Sequence, residues 1–163
     1  MTAGGSTLLA SNHLQHNQAM TDRKVNRTDA EWRARLTPEQ YAVTREQVTE
    51  APYSGCYWNS HERGRYRCIC CGEELFTSEQ KFDSACGWPN FTAPSNEEAI
   101  EQREDNSCGM TRTELVCHSC GAHLGHMFDD GPGPTGQRYC INSAALKLQP
   151  SEDSETGGAA PTS

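Results

Sequence analysis

One pattern occurs twice in this sequence. Cys68-Ile69-Cys70-Cys71-Gly72 and Cys117-His118-Ser119-Cys120-Gly121 each contain Cys-x-x-Cys followed by glycine. Two residues between cysteines let both sulfurs face one tetrahedral ion. The glycine permits the positive φ that turns the backbone back beneath the sulfurs. Cys68, Cys71, Cys117 and Cys120 therefore predict a closed structural zinc site, one per chain. A single Cys-x-x-Cys also suits a redox dithiol of the thioredoxin type. Two of them, each followed by glycine, favour metal. Iron fits the same four thiolates, with zinc the default. Cys70 belongs to neither pair and reads as a bystander. The pairs stand far apart in the chain, so the ion would clip distant parts of one domain together and supply folding free energy.

The chain needs such a staple. Its 163 residues make one ordinary domain with tails, and only 34% of them are hydrophobic. The formal charge of -8 argues against a phosphate-binding or nucleic-acid-binding protein, which normally shows a basic stripe. No apolar run approaches the roughly eighteen residues of a membrane helix. The N-terminus lacks the basic start and apolar stretch of a secretory signal. These features place the protein in the reducing cytoplasm without membrane partners, and a monomer is expected. There, nine cysteines point to metal or catalysis before disulfides.

Residues 1–27 are Gly, Ser, Asn, Gln and Thr with little to bury and read as a disordered leader, within which Met20 is an alternative start. Residues 150–163 read as a second disordered tail. The span 28–149 is the expected domain. Thr28-Asp29-Ala30-Glu31 and Thr37-Pro38-Glu39-Gln40 have the form of capping boxes and predict two short helices, the second reaching about Gln47. From Tyr57 to Leu148 glycines recur every few residues and apolar runs are short. That texture predicts short antiparallel strands, with a helical hint only over Ser95 to Arg103.

A second cluster lies near the C-terminus. His123 and His126 stand in Gly121-Ala122-His123-Leu124-Gly125-His126, and Arg138-Tyr139-Cys140-Ile141-Asn142-Ser143 follows a Gly-Pro-Gly-Pro loop. On a strand, Arg138, Cys140 and Asn142 point the same way. Arg138 favours a Cys140 thiolate, and the histidines supply protons near neutral pH. On these grounds alone the cluster suits a nucleophilic site, a metal site or ordinary packing equally. Upstream, Lys81-Phe82-Asp83-Ser84-Ala85-Cys86-Gly87-Trp88-Pro89-Asn90-Phe91 sets Cys86 among small residues, as an attacking thiol needs. Trp88 and Phe91 would form an aromatic wall for an apolar methyl group. The plainer alternative makes both aromatics core and Cys86 a filler.

Together with Arg112-Thr113-Glu114, these stretches resemble the B-type peptide methionine sulfoxide reductases, in order from about Asp29 to Leu148. The resemblance implies a mainly β fold of two small antiparallel sheets stapled by a structural zinc, with short N-terminal helices. It implies an oxidoreductase that reduces the R epimer of methionine sulfoxide in proteins, with thioredoxin as reductant, and so repairs oxidative damage. It assigns Cys140 as the catalytic cysteine and Cys86 as the resolving one, joined in a redox-active disulfide. His123, His126 and Asn142 would surround the sulfoxide, Trp88 would meet its methyl, and Phe91 and Arg138 would complete the substrate site. Cys68, Cys71, Cys117 and Cys120 match its zinc ligands. Two positions depart: Ala85 stands where glycine is usual, and Asn90 where serine is usual. Cys56, Cys70 and Cys108 receive no role.

Two other classes compete. A zinc-ribbon binding module without activity shares the knuckles, but the acidic charge disfavours a nucleic-acid partner. A zinc deaminase needs an open metal position and a His-x-Glu before its Cys-x-x-Cys, and neither is present in the sequence.

Overall fold

Two threonines start the ordered helices. The computed structural model describes residues 23–151. Helix α1 spans Asp29–Arg35 and α2 spans Pro38–Glu46. Both capping boxes form. Thr28 Oγ1 accepts from the Glu31 amide at 3.1 Å while the Glu31 carboxylate accepts from the Thr28 amide at 2.8 Å. Thr37 and Gln40 repeat this at 3.1 and 2.9 Å. Each box satisfies amides that a helix start would otherwise leave unpaired. Gln47 ends α2 at φ 62, a left-handed cap.

Nine strands follow: β1 (Gly64–Cys68), β2 (Glu74–Thr77), β3 (Lys81–Phe82), β4 (Asn90–Phe91), β5 (Ile100–Asp105), β6 (Arg112–Cys117), β7 (His123–Phe128), β8 (Arg138–Ile141) and β9 (Leu146–Pro150). They form two antiparallel sheets, one ordered β2-β1-β9 and the other β3-β4-β8-β7-β6-β5. The fold is thus mainly β, with two short helices ahead of the sheets, as expected. The helical hint over Ser95 to Arg103 becomes one 3-10 turn, Glu97–Ala99, and then β5. Pairing of every β5 residue with β6 overrides the helix preference of its Glu, Gln and Arg.

The core lies between the sheets. Tyr66 of β1, Phe76 of β2, Phe91 of β4, Leu115 of β6, Leu124 of β7 and Ile141 of β8 are fully buried. Phe91 stacks on Phe76 with centroids 4.2 Å apart and meets Tyr66 edge-on at 5.2 Å. The expectation that Phe91 faces a substrate is corrected here: its ring belongs to the interior.

The leader expected over 1–27 and the tail expected over 150–163 fall largely outside the described residues, as does Met20. Residues 23–27 do not behave as a leader. Arg23 reaches the carbonyls of Cys117 and His118 at 3.3 and 3.0 Å and pairs with Glu101 at 3.1 Å. The Val25 amide donates to Ser119 O. This strap has no apolar pattern, so only its partners reveal it.

Phe91→Ala is expected to cost about 3–5 kcal/mol, the usual penalty for emptying a large aromatic site. Urea unfolding followed by circular dichroism should show a correspondingly lower midpoint. An unchanged midpoint with impaired activity would return Phe91 to the substrate site.

Candidate active site and four-thiol cluster

The knuckles occupy equivalent turns in the two sheets. The first joins β1 to β2 and the second joins β6 to β7. In each, the first cysteine amide is held by a carbonyl beyond the knuckle: Cys68 by Glu73 at 2.8 Å and Cys117 by Ala122 at 2.9 Å. Gly72 and Gly121 lie at φ 84 and 81, the left-handed region that closes the turn, and each donates back to the first cysteine carbonyl. The four sulfurs lie within 4.8 Å of one another. Cys68 Sγ is 3.6 Å from Cys120 Sγ, and Cys71 Sγ is 3.6 Å from Cys117 Sγ. Those separations exceed a disulfide bond of about 2.05 Å. They fit a tetrahedron with metal–sulfur bonds of about 2.3 Å, whose edges are about 3.8 Å. Cys70 is buried but is not one of the four. Helix α2 covers the cluster, with Arg45 Nη2 3.0 Å from Cys120 O and its guanidinium 4.4 Å from the Trp32 ring.

The second cluster is a row across the larger sheet. Cys140 of β8 pairs with His126 of β7 on one side and with Asn90 of β4 on the other. His126 in turn pairs with Glu114 of β6. Directly opposed residues share a face, so Glu114, His126, Cys140 and Asn90 project together. Gly125 lets β7 and β8 approach, since a Cβ there would collide with the Cys140 carbonyl. A pocket of about 150 Å³ opens over this row, lined by Cys86, Trp88, His126, Arg138, Cys140 and Asn142 among others.

His123 reaches the same region by an irregularity. Residues three apart on a regular strand face opposite ways. The β6–β7 register shifts between Leu115 and Val116, where Leu124 is the extra residue. The shift brings the two imidazoles to 5.4 Å between centroids. Each is held by a carboxylate: His123 Nδ1 lies 2.7 Å from Glu114 Oε2, and His126 Nε2 lies 2.7 Å from Asp105 Oδ2. An ionised carboxylate only accepts, so these contacts place the ring protons on His123 Nδ1 and His126 Nε2. The His126 contact itself holds Asp105 well below its usual range. Burial pushes Glu114 up, but His123 and Gln47 more than offset it and its net direction is down. Burial outweighs Asp105 at His126 and lowers its basicity. His123 Nε2 is buried and has no partner among the described residues.

Cys86 sits in the loop between β3 and β4. Its Sγ accepts from Asn90 Nδ2 at 3.0 Å and lies 3.7 Å from Arg138 Nη1. Arg138 is anchored by Asp130 at 2.8 Å and crosses the Phe128 ring at 4.7 Å. Trp88 donates from Nε1 to Glu50 O at 3.0 Å, which fixes its indole as one wall. Asn142 is buried; its amide donates to Leu124 O while its oxygen accepts from the Glu50 amide. The two thiols differ electrostatically. Burial and the adjacent Cys86 push Cys140 up to about 12, against the pull of Arg138. Burial also raises Cys86, but bonds from Asn90 and the Trp88 region with the charge of Arg138 bring it below its ordinary value. Arg138 thus pulls on both thiols, as its place beside Cys140 suggested: at Cys140 burial and Cys86 outweigh it, and at Cys86 it adds to the bond from Asn90.

The structure therefore gathers Cys86, Trp88, His126, Arg138, Cys140 and Asn142 around one pocket, with His123 behind His126. Phe91 is not among the lining residues. Cys56 is exposed, and the Cys108 side chain lies outside the described part. Sequence reasoning missed Asp105, Glu50, Thr49 and Phe128. Glu114 and Arg112 fall within a quoted motif, which gave a signal without a role. Asp105 and Glu50 gave none, because each acts through a partner distant in sequence.

The SelR domain family model matches residues 36–150. The chain is also similar to three curated proteins named peptide methionine sulfoxide reductase MsrB. It is 58% identical over 125 residues to that of Hahella chejuensis, covering 77% of this chain and 90% of the relative. It is 56% identical over 135 residues to that of Acinetobacter baylyi, covering 82% and 97%. It is 54% identical over 134 residues to that of Acinetobacter baumannii strain SDF, covering 82% and 96%.

The unequal thiols give a labelling order. With limiting iodoacetamide at pH 8, Cys86 should be alkylated before Cys140, read by mass spectrometry of the two peptides. Cys140 should gain reactivity only as the pH rises toward 12. Labelling of Cys140 first would contradict the electrostatics.

Proposed function

We propose that this chain, which belongs to the SelR-domain family of peptide methionine sulfoxide reductases MsrB, reduces the R epimer of protein-bound methionine sulfoxide through Cys140. The observation that carries this reading is the meeting of two thiols, one indole and one carboxylate-held imidazole at a single pocket, with a second such imidazole directly behind the first. Sulfoxide reduction needs a nucleophilic sulfur, a proton for the departing oxygen and an apolar seat for the methyl group. Cys140, the histidines and Trp88 meet these needs in turn.

The Cys140 sulfur attacks the sulfoxide sulfur. The proton that leaves Cys140 balances the one gained by the oxygen, with His126 beside the pocket to relay it. Oxygen transfer leaves methionine and a Cys140 sulfenic acid. The Cys86 thiolate then attacks the sulfenic sulfur. A sulfur–sulfur bond forms, the sulfur–oxygen bond breaks, and the departing hydroxide takes up the proton that Cys86 gave up on ionising and leaves as water. A dithiol, thioredoxin in this reading, reduces the disulfide and restores both thiols. Residues 28–149 form the catalytic domain, acting as a monomer in the cytoplasm. No described helix is long and apolar enough to cross a membrane.

Zinc is the metal proposed for Cys68, Cys71, Cys117 and Cys120. Four thiolates fill its coordination, so it supplies folding free energy and no chemistry at the pocket. Cys117→Ser should lose the metal, assayed by mass spectrometry under native conditions. Its melting temperature should fall by more than about 10 °C, as loss of several kcal/mol implies. A metal-free variant that melts like the wild type would show that the cluster is not a staple.

A diastereomeric peptide sulfoxide with dithiothreitol tests the reaction. Chiral analysis should find only the R epimer consumed. The mirror arrangement would set an unpaired oxygen against Trp88, at a cost of about 1–3 kcal/mol or more. Cys140→Ser should release no methionine. Cys86→Ser should release one per chain, leave a sulfenic acid that dimedone traps, and stall with thioredoxin. Equal loss of both epimers, or full thioredoxin-coupled turnover by Cys86→Ser, would overturn the corresponding assignment.

A further inference from the structure

Asn90 is uncharged and absent from the pocket lining, yet it ties the pocket's parts together. Its side chain is fully buried on β4, opposite Cys140 in the β4–β8 pairing. Nδ2 donates to Cys86 Sγ at 3.0 Å and to Trp88 O at 2.7 Å. Oδ1 accepts from Arg138 Nη1 at 3.0 Å. One amide thus bonds the resolving loop, the backbone of the aromatic wall and the pocket's cation. The carboxamide supplies two donors and an acceptor from a single fork, which a serine hydroxyl is too short to do at these distances. Backbone pairing to β8 and complete burial leave the fork little freedom to turn.

We propose that Asn90 is a positioning residue for the second chemical step: it aims Cys86 Sγ at Cys140, favours its thiolate, and fixes Arg138 beside it. This rests on the reading of Cys86 as the resolving thiol. In that step the Cys86 sulfur displaces the oxygen from the Cys140 sulfenic acid, forming the disulfide and releasing water. The donor on Cys86 Sγ favours the charged sulfur. The Trp88 carbonyl lies 3.7 Å from Cys86 Sγ, and the charged and titratable groups facing this thiol are few. Arg138 supplies positive charge, held on its far side by Asp130. Cys140 opposes a second negative charge, and His126 and Arg112 line the same pocket. Among the influences that favour the Cys86 thiolate, the Asn90 bond is the largest.

The test uses full-length, metal-loaded protein. Asn90→Ser shortens the fork. Asn90→Asp keeps its shape and its Arg138 contact but replaces the donor by a carboxylate that repels the thiolate. The alkylation rate of Cys86 against pH, measured by mass spectrometry on a Cys140→Ser background, reports its ionisation. In both Asn90 variants the profile should move to higher pH by about one pH unit. With Cys140 present and one equivalent of peptide sulfoxide, dimedone-trappable sulfenic acid should persist about tenfold longer before the disulfide forms. If the wild type forms the Cys86–Cys140 disulfide but both variants keep its pH profile and rate, Asn90 is a packing residue and the proposal falls. A lowered melting temperature with an unmoved profile has the same meaning. If the wild type never forms that disulfide, the resolving role of Cys86 falls first and takes the proposal with it.

Discussion

The two sheets are joined by four sulfurs. Cys68 and Cys71 belong to the β1–β2 hairpin of the smaller sheet, and Cys117 and Cys120 to the β6–β7 hairpin of the larger. Two hairpins thereby meet at one point, alongside the buried core that the sheets share. The strap from Arg23 and helix α2 both end their polar contacts on the second knuckle. The consequence reaches the pocket through the backbone. Strand β7 leaves the knuckle at Cys120 and arrives at His123 three residues later. The first histidine thus stands three residues beyond the cluster, although no sulfur of the cluster lines the pocket.

From β7 the constraint passes sideways. Cys140 lies on β8, between β7 and β4, and gains its neighbours by register. β4 is anchored in turn by Phe91 in the core, so its other residue, Asn90, faces the pocket side. Alternation along a two-residue strand does both jobs: Phe91 packs and Asn90 bonds Cys86. In the proposed reaction the loop carrying Cys86 has to open enough for a disulfide to Cys140 to form. It starts and ends on β3 and β4, whose only pairing with each other is two residues long.

This division explains what the sequence could show. Knuckles and capping boxes are local, and they form as written because their partners lie within a few residues. The common face of Arg138 and Cys140 is also local, since it follows from strand alternation alone. Short antiparallel strands were expected from the texture and two sheets from the resemblance alone, and both are present. Phe91 was misplaced because an aromatic beside Trp88 looks the same in sequence whether it faces in or out. His123 shares a region with His126 only through the irregularity at Leu124, and nothing in Gly121 to His126 marks which residue bulges. Asp105 and Glu50 stayed invisible because carboxylates are common and their partners lie 21 and 93 residues away. The strap at Arg23 was hidden by polar neighbours of the kind that usually mark a tail.

The electrostatics of the pocket favour the second thiol over the first, and the order of events gives a reason. Two ionised sulfurs side by side in a small, partly buried pocket repel each other, so one proton stays. Arg138 and Asn90 both bond toward Cys86, and Cys140 is left the harder thiol to deprotonate. In the proposed reaction the sulfoxide oxygen gains a proton as its bond to sulfur weakens, and Cys86 is the thiol that the second step then uses. The arrangement seen here makes Cys140 the harder thiol to ionise, and attack by Cys140 in the proposed reaction requires its proton to leave as the sulfoxide oxygen gains one.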